Sequence, residues 1–225
     1  EMEEDQQKFY EAIKEGVKEE ADKIELKSGN LLALTTRLRQ ATACPSVLTT
    51  QNIESIKVTR AFEYIQEITS QREKVVVFSM FKEPLIQLAA KLSEFRYSLN
   101  TGDTPDQVAL DNMTRFQEDP NEQIFLGTGQ KCGVGYTLNS SMYLIFIDTP
   151  YTYALFEQCF QRVYRINNSR PAFIKVLVCE ETIDERVQEI IETKKDLGEY
   201  LVDGVGDGTV DSRLTDELRA ILRDL

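Results

Sequence analysis

The sequence predicts an α/β domain with a mainly parallel sheet, helices on both of its faces, and helical additions at each end. Apolar, β-branched runs recur at Lys74–Phe81 (KVVVFSMF), Ile124–Leu126 and Met142–Ile147. Unbroken runs of this kind read as strands buried on both faces, where an alternating pattern would mean one face in water. Segments with helical periodicity separate them, and strands alternating with helices imply βαβ units and a parallel sheet.

Composition narrows the possibilities. At 225 residues, 41% hydrophobic and 28% charged, the chain is an ordinary globular sequence, long enough for one large domain or a core with extensions. Its net charge of −12 argues against tight autonomous DNA binding, since phosphate neutralisation needs basic residues, although a local basic groove remains open. Cys44, Cys132, Cys159 and Cys179 form no CxxC, and histidine is absent, so no zinc site is expected. Scattered cysteines without a signal peptide fit reduced thiols and a cytoplasmic setting. No apolar run reaches the length of a membrane span, so no membrane partner is expected. The first residue is Glu1, which suggests a piece of a longer chain.

The elements follow in order. Residues 1 to about 27 form a polar helix with Phe9, Ile13 and Val17 as a narrow apolar stripe, ended by Gly29-Asn30. Leu31, Leu34, Leu38 and Ala41 mark a second helix that stops before Cys44-Pro45, and Ile56–Ile68 a third. Residues 1–70 are thus expected to be a helical linker segment, 71–200 the sheet-bearing lobe, and 201–225 a glycine-jointed terminal helix striped by Leu214, Leu218, Ile221 and Leu225. After the first strand, Pro84 opens a helix with Leu85, Leu88, Ala89 and Leu92 inward. Phe95–Leu99 is a short strand, and Thr104-Pro105-Asp106-Gln107 has the form of a capping box with proline at the first helical position. Further strands are expected at Ile124–Leu126, Met142–Ile147 and Phe173–Val178, with helices at about 152–164 and from a second capping box, Thr182-Ile183-Asp184-Glu185, to about Lys195.

The stretch from Gln123 to Pro171 carries the chemistry. Gln158, Arg162 and Arg165 are spaced i, i+4, i+7 and share one helical face just beyond a strand end, an arrangement suited to meeting an anion. The loops expected at the carboxyl ends of the strands, where parallel sheets bind ligands, are Ser79–Phe81, Thr128–Thr137 and Asp148–Tyr153. Asp148 reads equally as a loop-ordering group and as a plain strand-end cap. A bare GxG at Gly133 and Gly135 reads as a turn, and Ser79 and Thr128 as strand-end caps, unless their position says more.

Position does say more. LLALTTRLRQATACPSVL, KVVVFSMF, the NTGD turn with Arg115-Phe116 after it, GVGYTLNSSMYLIFIDTPY, EQCFQRVYRIN and LVCEETIDERV occur in one order with fitting spacing. Together, over about residues 30–200, they resemble the second RecA-like lobe of the Swi/Snf family of DNA-dependent ATPases in helicase superfamily two. The resemblance implies a three-layer RecA-like fold and half of an ATPase. It makes Arg162 and Arg165 the arginines that reach ATP held, with Mg, mainly by a first lobe. Planar guanidinium groups suit the charge that develops on a transferring phosphoryl group. It makes Gln158 a hydrogen-bonding support for the nucleotide or the arginines, and Gly133 and Gly135 part of a loop between the nucleotide and DNA sites. It places Ser79 and Thr128 at DNA phosphates, in contacts that position the duplex without reading it. The implied partners are the first lobe and duplex DNA.

The chain departs from the family at Asn167-Asn168, at Lys131 and Cys132, and at Val108, Ala109 and Leu110, where basic residues are usual. These departures bear on DNA contacts more than on the arginines and suggest a divergent branch of bacterial or phage origin. No GxxxxGK[ST] and no DExH occurs in the 225 residues, so the chain alone is expected to lack ATPase activity. A non-catalytic degenerate lobe and a restriction-type motor subunit are the rival readings.

Overall fold

The computed structural model describes residues 1–23, 28–132, 137–164 and 171–198. The chain divides into two compact units, one over Ile56–Val178 and one combining Glu1–Ser55 with the residues from Cys179 onward.

The first unit holds a five-stranded sheet: β1 Val75–Ser79, β2 Tyr97–Asn100, β3 Ile124–Thr128, β4 Tyr143–Phe146 and β5 Phe173–Val176. Every pair is parallel, in the order β2-β3-β1-β4-β5. All five residues of β1 and of β3 are buried, as their unbroken apolar sequence requires. Alternate residues serve opposite faces. Val75 and Val77 of β1, Ile124 and Leu126 of β3 and Ile145 of β4 meet α3 (Ile56–Ser70) and α4 (Lys82–Lys91). Val76, Phe78, Phe125, Leu144 and Phe146 meet α5 (Asp106–Glu118) and α7 (Tyr153–Val163) on the other side. Between β3 and the central loop lies the short α6, Gly129–Cys132. The result is the expected three-layer α/β arrangement.

Chain direction explains the layers. From central β1 the chain runs through α4 out to edge strand β2, and α5 brings it back to β3. Parallel crossovers are right-handed, so helices that carry the chain in opposite directions across a sheet occupy opposite faces. The helix over Ile56–Ser70, expected within the linker segment, buries Val58, Ala61, Ile65 and Ile68 in the same cluster as β1.

A polar network pins β2 to α5. Ser98 Oγ donates to Glu122 Oε1 (2.6 Å), Arg115 Nε donates to the same oxygen (3.0 Å), and Arg115 Nη2 donates to Asn112 Oδ1 (2.6 Å). Asn112 Nδ2 in turn donates to Asn100 Oδ1 (2.8 Å), and Asn100 Nδ2 to Ala109 O (3.0 Å). The capping box expected at Thr104 does not form. The Thr104 hydroxyl accepts from Thr101 N–H (2.9 Å), Gln107 donates to Asp111, and the helix begins after Pro105. A tight turn offered Thr104 a nearer donor than the helix did.

The second unit packs α1 (Glu4–Lys23), α2 (Ser28–Ala43) and α8 (Ile183–Gly198) around their apolar faces. The buried stripe of α1 runs through Gln6, Tyr10 and Val17, while Phe9 and Ile13 of the expected stripe are only half-buried. Gln6 Nε2 donates to Thr42 O (2.8 Å), and Tyr10 Oη accepts from Ile183 N–H (2.9 Å). Burial pushes the Tyr10 phenol above its usual range. At the start of α8 the Thr182 hydroxyl accepts from Asp184 N–H (3.2 Å), and Glu185 reaches back to Glu181 N–H (3.1 Å). The expected cap is therefore present, with its glutamate reaching one residue further back than a capping box does. Residues 201–225, expected as a joint and terminal helix, lie outside the described residues. Among the described residues, no helix is long and apolar enough to cross a membrane.

Candidate functional site

Three neighbouring strands, β3, β1 and β4, deliver Thr128, Ser79 and Asp148 to the carboxyl edge of the sheet. Ser79 and Thr128 are direct partners in the parallel register, so the two hydroxyl residues expected to face phosphate end their strands side by side. Their surroundings differ. Ser79 is fully buried, and its Oγ donates to Asp148 Oδ2 (2.5 Å) while accepting from Phe81 N–H (3.0 Å). Asp148, equally buried, accepts a second bond through Oδ1 from Met80 N–H (2.9 Å). The Ser79 hydroxyl therefore serves the loop between β1 and α4, and Asp148 is the carboxylate that orders it. Thr128 is 8% exposed, and among the described residues its Oγ1 has no hydrogen-bond partner. A buried hydroxyl without a partner costs about 1–3 kcal/mol, a cost that a ligand supplying the missing bond would relieve.

Close packing fixes the next residue. A Cβ on Gly129 would lie 2.1 Å from Met80 Cε and 3.7 Å from Cys159 Sγ, so the turn into α6 needs glycine for lack of space. Burial pushes the Cys159 thiol up to about 12, against a partial opposing pull from Arg162, which keeps the sulfur an inert neutral thiol. Lys131 of α6 pairs with Asp106 at the start of α5 (Nζ–Oδ1 2.5 Å) and holds that carboxyl below the usual carboxylate range, by hydrogen bond first and charge second.

Helix α7 carries the anion-facing residues. Thr152 caps it by accepting from Leu155 N–H (3.3 Å), and Cys159 and Val163 anchor its inner side in the core. Gln158 is exposed and Arg162 half-buried, one turn apart on one face, as the spacing predicted. The carbonyl of Arg162 accepts from Leu138 N–H (2.8 Å), so the end of α7 is bonded to the segment leaving the central loop. Arg165, Gly133 and Gly135 lie outside the described residues.

Sequence reasoning missed the clamp on that segment. Gln117 of α5 bonds Thr137, Asn139 and Ser140, and Met113 one turn earlier accepts from Thr137 N–H (3.4 Å). The signal available was two residues with long side chains at i and i+4 on the outer flank of a helix. Nothing local names their partners twenty or more residues away. Among the described residues, no three Cys, Asp or Glu side chains lie close enough together to hold a metal ion.

Residues 57–167 match the helicase conserved C-terminal domain family. The chain is 25% identical over 146 residues to the DNA repair protein rad8 of Schizosaccharomyces pombe, covering 63% of this chain and 13% of that protein. It is 26% identical over 196 residues to an uncharacterized ATP-dependent helicase of Mycoplasma pneumoniae, covering 85% of this chain and 19% of that protein. The chain thus spans less than a fifth of these two relatives. Among solved structures it resembles the Sulfolobus solfataricus SWI2/SNF2 ATPase C-terminal domain, with a TM-score of 0.70 at 19% identity over 98% of this chain and 93% of that one. It also resembles the SWI2/SNF2 ATPase core of the same organism in complex with dsDNA, with a TM-score of 0.75 at 23% identity over 98% of this chain and 48% of that one. At these identities the structural likeness establishes the RecA-like fold, and the family match over the sheet-bearing unit establishes the kind of lobe. The chain carries the helicase conserved C-terminal lobe of the Swi/Snf family of ATP-dependent helicases.

Proposed function

We propose that this chain works as the second half of a two-lobed ATP-dependent translocase on duplex DNA. The observation that carries this is the placement of Arg162 on α7, directly after the end of β4, within the matched helicase domain. Arg162 and Arg165 extend from this helix toward a nucleotide presented by a first lobe. ATP supplies the phosphoryl group whose developing charge the two guanidinium groups stabilise, an effect worth about 10³–10⁵ in rate for arginines in this role. Gln158, one turn before Arg162, holds the nucleotide or the arginines by hydrogen bonds. The first lobe holds Mg, since the described residues offer it no ligand cluster.

The strand ends face the DNA. Thr128, with its unsatisfied hydroxyl, donates to a backbone phosphate. Ser79 contributes through the Met80–Phe81 loop that it and Asp148 hold in shape. Gly133 and Gly135 let the central loop pass between the two sites. Duplex DNA as the track accords with the dsDNA complex of the SWI2/SNF2 core, and ATP with the ATP-dependent helicases among the relatives. For a bacterial or phage source, the working compartment is the cytoplasm, where the duplex is.

The reading makes the two halves interdependent. The chain alone should hydrolyse ATP no faster than buffer, and the same chain joined to a lobe bearing the phosphate loop and DExH should hydrolyse it with stimulation by duplex DNA. Turnover by the isolated chain would overturn the assignment of the phosphate cradle to the other lobe.

A further inference from the structure

The segment that returns from the central loop to the sheet, Thr137–Ser140, is held by two helices. From α5, Gln117 Nε2 donates to Thr137 O (2.6 Å) and to Asn139 Oδ1 (2.9 Å), and its Oε1 accepts from Ser140 N–H (3.0 Å). From α7, the Arg162 carbonyl accepts from Leu138 N–H (2.8 Å), and the Leu138 side chain is fully buried in the core between the two helices and the sheet. One glutamine amide thus commits both donor hydrogens and one acceptor to a four-residue segment. α5 has other anchors: Ala109 and Phe116 lie in the core, and Asn112 and Arg115 bind it to β2. At its other end, Asp106 takes Lys131 of the same loop. Helix α5 therefore grips the central loop at both entrance and exit, and the exit is bonded to the backbone of Arg162.

We infer that Gln117 is a positioning residue that makes ATP hydrolysis respond to DNA. This rests on the two-lobed reading above. Engagement of DNA at Thr128 and the start of the loop shifts the loop as a unit, because Gln117 keeps its exit in register. The bond from Leu138 to Arg162 carries that shift to the helix bearing the arginines. Without the Gln117 bonds the loop moves and Arg162 does not follow. Gln117 itself touches neither nucleotide nor DNA.

The test uses the two-lobed protein, with ATP turnover measured without DNA and with saturating duplex. Gln117→Leu keeps the bulk of the side chain and removes its hydrogen bonds. The DNA-stimulated kcat should fall about tenfold, the equivalent of roughly one net hydrogen bond. The unstimulated rate and the KM for duplex should stay within about twofold, since no binding contact is lost. In the present chain, amide exchange at Leu138 and Ser140 should quicken by about tenfold or more. If Gln117→Leu does not fold, Gln117→Glu, which keeps the Ser140 bond and loses both donor bonds, should show the same split. Stimulated and unstimulated rates falling by one common factor would overturn the inference, as would full stimulation despite faster exchange. A wild-type protein whose turnover ignores DNA would overturn the underlying reading as well, and is distinguishable because no variant is needed to see it.

Discussion

Removing Asp148 should loosen the Ser79–Phe81 loop at a cost that the geometry allows to be worked out. The carboxylate accepts from Ser79 Oγ and from Met80 N–H, and both Asp148 and Ser79 are fully buried. A hydrogen bond to a charged group contributes about 1.5–3 kcal/mol net, so Asp148→Ala, which strands both donors, should cost about 3–6 kcal/mol. Ser79→Ala removes one of the two bonds and the acceptor for Phe81 N–H, at about 1.5–3 kcal/mol. The double variant should then cost less than the sum of the singles by about 1 kcal/mol or more, because the shared bond is counted twice in the sum. The chain has no tryptophan, so urea unfolding is best followed by far-UV circular dichroism, with the slope m checked for constancy across the four proteins. Additivity within about 0.5 kcal/mol would refute the pairing of Ser79 with Asp148 as the element that shapes the loop.

Other consequences concern the packing around the same strand ends. Gly129→Ala should cost about 1–3 kcal/mol by driving a Cβ into Met80, and Met80→Ala in the same chain should recover most of that cost; an undiminished cost would show that Met80 is not the obstacle. Cys159 should resist thiol reagents at pH 8 in the native protein and react once urea is added, because its folded thiol is raised to about 12 and the side chain is fully buried. The same shift sets a pH dependence. The thiol titrates near 9 when unfolded and near 12 when folded, so between those values the folded state binds more protons and stability falls as pH rises. Cys159→Ala should flatten that alkaline slope, and an unchanged slope would assign it to other groups such as Tyr10.

The legible parts of the fold were those where burial writes directly into local sequence. β1 and β3 lie between two helical layers, and their unbroken apolar runs said so. α4 showed its inner face through Leu85, Leu88, Ala89 and Leu92, all buried as expected. Local chemistry failed where two nearby options competed. Thr104 turned to Thr101 rather than to the helix, and the α1 stripe settled on Tyr10 because that phenol also finds Ile183 N–H. The site followed the same rule. The adjacency of Ser79 and Thr128 was readable, since both end strands of one parallel sheet. The capture of the Ser79 hydroxyl by a carboxylate 69 residues away was not, nor was the clamp that Gln117 closes on Thr137–Ser140. Long-range partners leave no trace in spacing.

The central claim is that α7 supplies arginines to a nucleotide held elsewhere. It is tested most directly by ATP turnover of the two-lobed protein with Arg165→Ala or Arg162→Ala, in saturating duplex DNA, alongside the affinity for that duplex. The account predicts a loss of about 10³-fold or more in kcat, with DNA affinity within about threefold of wild type. Turnover at the wild-type rate in both variants would contradict it.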